Sequence, residues 1–126
     1  MLALILPIIT AAAVAAAPPP ASTVVKVPRD HGPQDAVVLE RTFPVGGESG
    51  WHTHPGYEIG HVVAGETEMR TPDGAVRYKA GQTFVIPRGT VHNGVNVSDV
   101  PAVLVITYLV DRGAPVRKDA ADPHRH

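Results

Sequence analysis

Between residues 36 and 110 the chain is cut into short pieces by turn-forming residues: Pro44, Gly46-Gly47, Pro55-Gly56, Gly65, Pro72-Asp73-Gly74, Gly81, Pro87-Arg88-Gly89 and Pro101. Proline lacks the amide donor a helix needs and glycine is entropically costly inside one, so no long helix fits between these breaks. The pieces are rich in Val, Ile and Thr, which favour a pleated, half-buried surface. Residues 36–43 alternate in part and stop at Pro44, and residues 57–64, 66–71 and 75–79 follow. The last two are joined by Asp73-Gly74, a strong hairpin signal. With residues 83–86, 91–97 and 101–110, and a strand before Pro55, the count reaches about eight, the pattern of an antiparallel sandwich or barrel. The mostly apolar run 101–110 reads as a strand buried on both faces or turned toward a partner.

Length and charge narrow what such a fold can do. A chain of 126 residues holds one domain with one core. Lys plus Arg number 11 against 12 for Asp plus Glu, so no strong field exists to attract nucleic acid or an anionic surface. The absence of cysteine excludes disulfides, thiolate-bound zinc, iron–sulfur clusters and a cysteine nucleophile.

The N-terminus differs in kind. Residues 1–17 are apolar apart from Thr10, and Val14 and Ala16 occupy the minus three and minus one positions of a signal-peptidase site ahead of Pro18-Pro19-Pro20. No Lys or Arg precedes the apolar run and Pro7 interrupts it, but its length sits at the bottom of the membrane-spanning range. The expectation is a cleaved signal peptide, a periplasmic or secreted protein and no stable membrane anchor. Residues 18–34 then form an irregular lead-in, 35–111 the folded domain, and 112–126 a polar tail expected to fray.

Chemistry concentrates in His52-Thr53-His54, with Glu58 just downstream and His92 after Pro87-Arg88-Gly89-Thr90. Histidines at i and i+2 share a face only on extended backbone, so this spacing asks for a metal held by a sheet. Pro55-Gly56-Tyr57 allows a turn that presents the Glu58 carboxylate from the next strand of a hairpin. His52, His54, Glu58 and His92 together are a ligand set for one divalent transition metal: Fe, Mn, Ni, Cu, Co or Zn. The competing reading is a solvated His-rich turn. His124 and His126 have the same spacing without flanking strand formers and are not expected to bind a metal. His61 lies at odd spacing from Glu58 and is read as pointing to the other face.

Two spacings decide between these readings. Gly46, His52, His54, Glu58 and Gly65 match the first signature motif of the cupin superfamily, and Gly81, Pro87, Gly89, His92 and Asn96 match the second, with no fixed position departing. The resemblance spans about residues 37–108 and is to small single-domain cupins of the quercetin-dioxygenase-like kind. It implies an all-β, double-stranded β-helix (jelly roll) barrel with His52, His54, Glu58 and His92 holding one metal near the barrel axis, and His92 reaching it from the opposite sheet. It further implies a dioxygenase-like oxidoreductase acting on a small chelating substrate, with Glu58 as candidate catalytic base, and a homodimer. A metal-dependent isomerase or lyase and a non-catalytic small-molecule binding module are the alternatives, because one fold hosts many functions. Asn96 is expected to be structural, and Trp51, Tyr57, Met69, Phe84 and Tyr108 to serve as packing or barrel lining.

Overall fold

The structure is a computed structural model that describes residue 27 and residues 32–125. The apolar leader at residues 1–17, most of the lead-in and His126 lie outside the described residues. Among the described residues the chain forms nine strands and no helix. They are β1 (Gln34–Phe43), β2 (His52–Thr53), β3 (Gly56–Ala64), β4 (Glu66–Thr71), β5 (Gly74–Lys79), β6 (Thr83–Ile86), β7 (Asn93–Asn96), β8 (Ala102–Asp111) and β9 (Lys118–Asp119).

Every pairing is antiparallel, and the strands make one sheet in the order β1-β8-β3-β6 and a second in the order β5-β4-β7. Isolated bridges from Glu48 to Val95 and from His52 to His92 extend the second sheet beyond β7, and β2 then pairs with β9. The architecture is the expected all-β one.

The core lies between the sheets. Phe43, Val62, Phe84, Ile86, Leu104, Ile106 and Val110 from the first sheet meet Met69 from β4. Strand β8 supplies the longest row: Ala102, Leu104, Ile106, Tyr108 and Val110 are buried while the residues between them are only partly so. The expectation for this run is a strand buried on both faces or turned toward a partner. Instead one face is buried at period two, because β8 has sheet neighbours β1 and β3 on its edges and only one packed layer across from it. Each fully buried side chain of this kind contributes about 1.5 to 3 kcal/mol.

Two glycines are dictated by this packing. Gly60 pairs directly with Phe84, and a Cβ at Gly60 would stand inside the Phe84 ring, so the missing side chain makes room for an aromatic that is 1% exposed. Gly65 turns β3 into β4 at φ 76, a dihedral that L side chains avoid. Asn96 has the structural role expected of it. Its Nδ2 donates to the carbonyls of Phe43, Pro44 and Val100, and its Oδ1 accepts from the backbone and hydroxyl of Ser98, so one buried amide ties the end of β1 to the β7–β8 loop.

The C-terminal segment departs from expectation. Residues 118 and 119 form β9 against β2, and the Ala120 amide donates to the Trp51 carbonyl at 3.0 Å. Rather than fraying, the tail satisfies an edge that would otherwise present unpaired backbone groups.

Candidate metal centre

The hairpin expected from His52 to Glu58 does not form as such. Strand β2 pairs with β9 and bridges to His92, whereas β3, which carries Glu58, pairs with β6 and β8 in the other sheet. The Pro55 turn therefore crosses from one sheet to the other, and His92 comes from the strand beside His52, not from an opposing sheet. Glu58 is the group that reaches across. The turn Pro87-Arg88-Gly89 that leads to His92 is fixed at two points: the Gly89 amide donates to the His54 carbonyl at 3.1 Å, and Arg88 makes a two-pronged pair with Asp111 at 2.6 and 2.7 Å.

The four side chains converge, with one ligand atom from each lying within 4.8 Å of all the others. His52 Nε2 and His54 Nε2 are 3.1 Å apart, and Glu58 Oε2 lies 3.0 Å from His54 Nε2 and 2.8 Å from His92 Nε2. All four are buried, His92 to 1% exposure and the others to 4%. His61 is exposed and pairs with the Thr83 hydroxyl, while His124 sits edge-on to Trp51, so neither joins the cluster.

Hydrogen bonding to the backbone sets which ring nitrogen faces inward. The Nδ1–H of His52 donates to the Gly50 carbonyl at 2.6 Å, that of His54 to the Val116 carbonyl at 2.5 Å, and that of His92 to the Thr90 carbonyl at 2.8 Å. A carbonyl can only accept, so each neutral imidazole carries its proton on Nδ1 and turns an Nε2 lone pair toward the others. Lone pairs 3.1 Å apart beside a carboxylate repel one another unless a cation lies among them. This donor set therefore fits a metal ion: a buried cluster of His52, His54, His92 and Glu58 could hold one, and the ligand types leave its identity open.

The electrostatics agree with that assignment. Burial pushes His52 down to about 4, against the pull of the Gly50 carbonyl and with help from the charges of His92, Arg117 and His54, so the ring is a free base at neutral pH. Burial works to raise Glu58, but the His54 and His92 imidazoles in contact with its carboxylate outweigh burial and hold the carboxyl down at about 2. Tyr108 packs its ring 4.5 Å from that of His54, and burial, reinforced by the Glu58 charge, raises its phenol to about 12.

A narrow cavity of about 20 Å³, room for about one water, opens onto this cluster. Beside His52, Glu58 and His92 it is lined by apolar Phe43, Met69, Leu104 and Ile106, by Tyr108 and Ser49, and by Arg41. Met69 and Tyr108 are thus lining residues, as expected, whereas Trp51, Tyr57 and Phe84 do not face this cavity. Sequence reasoning missed Arg41, an exposed residue at the cavity rim, although Val37, Leu39 and Phe43 at alternate positions place it on the same side of β1. It also missed the Val116 carbonyl, for which no local signal exists.

Comparison with known proteins places this geometry among relatives. The family model described as a cupin domain matches residues 39–108. Germin-like protein 3-5 of Oryza sativa subsp. japonica is 39% identical over 75 residues, which cover 52% of this chain and 33% of the relative. The chain thus spans about a third of that relative's length. Among solved structures, a cupin domain from Bordetella pertussis is similar at 30% identity and a TM-score of 0.53, covering 66% of this chain and 88% of that one. Oxalate oxidase in complex with the substrate analogue glycolate is similar at 33% identity and a TM-score of 0.52, covering 58% of this chain and 41% of that one.

Proposed function

The chain belongs to the cupin domain family, and on that premise we propose that it is a metal-dependent oxidoreductase, dioxygenase-like in its use of O₂, acting on a small chelating organic substrate. The observation that carries this reading is the set of three inward-facing Nε2 lone pairs and one carboxylate at the bottom of a cavity. Four protein ligands leave an octahedral ion two further positions, enough for a chelate. When bound there, a divalent ion supplies Lewis acidity and, if redox-active, a route to dioxygen.

The remaining roles belong to the chain itself. The carbonyls of Gly50, Thr90 and Val116 hold the three rings in one tautomer and one orientation, so the ligand set is organised before substrate arrives. Phe43, Met69, Leu104 and Ile106 exclude water from the cavity. Glu58 is the one carboxylate among the cavity-lining residues and, if released from an ion held there, would be the group to accept a proton from a bound hydroxyl or enol. The similarity to an oxalate oxidase supports a small oxygen-rich acid as the substrate class, with diols, enols and hydroxy-ketones as the wider set.

We further propose that residues 1–17 are removed on export and that the folded chain pairs as a homodimer. Detection of full-length protein in the cytosol alone, or a light-scattering mass equal to one chain, removes the respective idea.

The decisive test is metal analysis of the purified protein followed by oxygen uptake on a panel of oxalate, flavonol and diketone substrates. Bound transition metal, lost in His52→Ala and His54→Ala, together with uptake on one member of the panel, is the expected result. Metal content equal in wild type and both variants sinks the site. Bound metal without oxygen uptake on any member moves the assignment to an isomerase, a lyase or a binding module.

A further inference from the structure

Met69 stands between two spaces of very different size. On one side is the cavity at His52, Glu58 and His92, about 20 Å³, where about one water fits. On the other is a groove of about 400 Å³ whose walls include Thr71, Val76, Tyr78, Ile86 and Pro87. Among the described residues Met69 is the only one that lines both. The groove exists because the barrel does not close there: β5 is an edge strand of one sheet and β6 of the other, and among the described residues no ladder joins them. Residues opposite one another on paired strands share a face, so Val76, opposite Met69, and Tyr78, opposite Thr67, look inward. Tyr78 packs its ring 5.4 Å from that of Phe84, but inward-facing Val76 is 56% exposed, which marks an open mouth.

Little holds that side chain in place. Met69 lies opposite Gly94 in the ladder of β4 with β7, and a Cβ on Gly94 would come 2.9 Å from its terminal methyl and 3.3 Å from its sulfur. The thioether therefore rests in the space that the glycine leaves. A thioether is at best a weak acceptor, and its unbranched stem has several free torsions. Phe43, Leu104 and Ile106, the other apolar walls of the small cavity, are branched or ringed side chains of the packed core. A chelating molecule larger than water needs more room than the cavity has, and the wall best able to give it is Met69, with the larger groove directly behind.

We propose that Met69 is a movable plug: when its side chain swings off Gly94, cavity and groove become one substrate site, with the chelating head at the metal and an apolar body between β5 and β6. This rests on the metal reading above and deepens it by choosing among the substrate classes. No Lys or Arg lines the groove and its one charged residue is Asp73, so a body carrying a carboxylate gains nothing there, while Val76, Tyr78, Ile86 and Pro87 offer apolar contact. Enols and hydroxy-ketones with a short apolar body fit this site, and a bare oxygen-rich acid leaves the groove empty. A diatomic ligand needs no such opening and reaches the metal from the exposed rim at Arg41. Met69 admits and selects the substrate and takes no part in bond making.

The test uses iron(II)-loaded protein without oxygen and two ligands that each colour the metal: nitric oxide, which is diatomic, and tropolone, whose adjacent hydroxyl and ketone chelate from the edge of an apolar ring. Stopped-flow absorbance gives the association rates for wild type, Met69→Ala, Met69→Ile and Val76→Trp, with protein-bound iron measured before and after. Tropolone is expected to bind Met69→Ala about tenfold faster than wild type, because the plug is gone. It is expected to bind about tenfold more slowly to Met69→Ile, whose branched stem is stiff, and to Val76→Trp, which fills the groove from an exposed position. Nitric oxide binds every variant at the wild-type rate. If Met69→Ala does not fold, Met69→Ile and Val76→Trp decide. Tropolone rates equal in wild type, Met69→Ile and Val76→Trp, or nitric oxide slowed as much as tropolone, overturn the proposal and leave the metal reading intact. Iron carried off the protein by tropolone instead of being bound in place does the same. No nitric oxide signal from iron-loaded wild type overturns the metal reading and the plug with it.

Discussion

Glu58 and Glu68 are both held below the usual carboxylate range, but by opposite means. Glu68 lies on β4 and is held down by hydrogen bonds from Arg70 and Arg77, whose side chains are 43% and 61% exposed. Glu58 lies on β3 with 4% exposure and is held down against burial by two imidazoles. The arginines beside Glu68 are flexible, solvated and always charged, so that pair is screened and contributes at most about 1 kcal/mol. The imidazoles beside Glu58 are fixed by backbone carbonyls with their Nε2 atoms turned toward it, so their interaction with it is completed only when a cation is present. A surface ion pair is complete in itself; the buried cluster is incomplete without a guest. That difference separates a stabilising feature from a functional one.

The contrast can be broken at either end. His92→Ala removes a ligand atom and the partner nearest Glu58 Oε2, and metal affinity is expected to fall more than about a hundredfold, beyond what loss of an outer hydrogen-bond partner costs. Metal analysis after dialysis reads this directly, and retained metal refutes the contrast.

Acid is the next largest lever on the metal-free fold. The folded pKa of His52 is about 4 against an ordinary 6.5, so as pH falls the unfolded chain takes up the proton first, and the stability present above 6.5 is lost toward 4. Glu58, lowered from 4.5 to about 2, adds a loss that begins below 4.5. Chelator-treated protein should therefore melt at a lower temperature at pH 4 than at pH 7, the His52 part amounting to no more than about 3 kcal/mol. An acid loss that vanishes in Glu68→Gln but persists in His52→Asn would place the sensitivity at Glu68 and refute this account.

A truncation ending at Pro115 removes β9 and the Val116 carbonyl that orients His54, while all four candidate ligands remain. Metal affinity is expected to drop about 10- to 100-fold. Unchanged affinity would make the C-terminal segment mere edge cover.

The smallest effect is reserved for Glu68→Gln. A shift in stability below about 1 kcal/mol with no change in metal content is expected by denaturant titration and metal analysis. A larger effect would show that the surface ladder from Glu68 to Arg77 organises the barrel.

The amino-acid sequence alone determines where this chain turns and which residues alternate inward, because glycine, proline and β-branched side chains act on their own backbone. Pro72-Asp73-Gly74, Gly81 and Pro87-Arg88-Gly89 bound β4, β5 and β6 within a residue or so, and the spacings around His52, His54, Glu58 and His92 select the four side chains that the structure brings together. Which strands become neighbours is another matter. That β2 leaves β3 for β9, that Glu58 reaches the histidines from the other sheet, and that Val116 points its carbonyl at His54 are consequences of pairings between residues far apart in the chain. A two-residue strand and a polar tail carry no periodicity from which to read a partner. Arg41 shows the boundary between the two. Its side of β1 follows from the alternation of Val37, Leu39 and Phe43, but only closure of the barrel puts this exposed residue at the rim of the same cavity as Glu58.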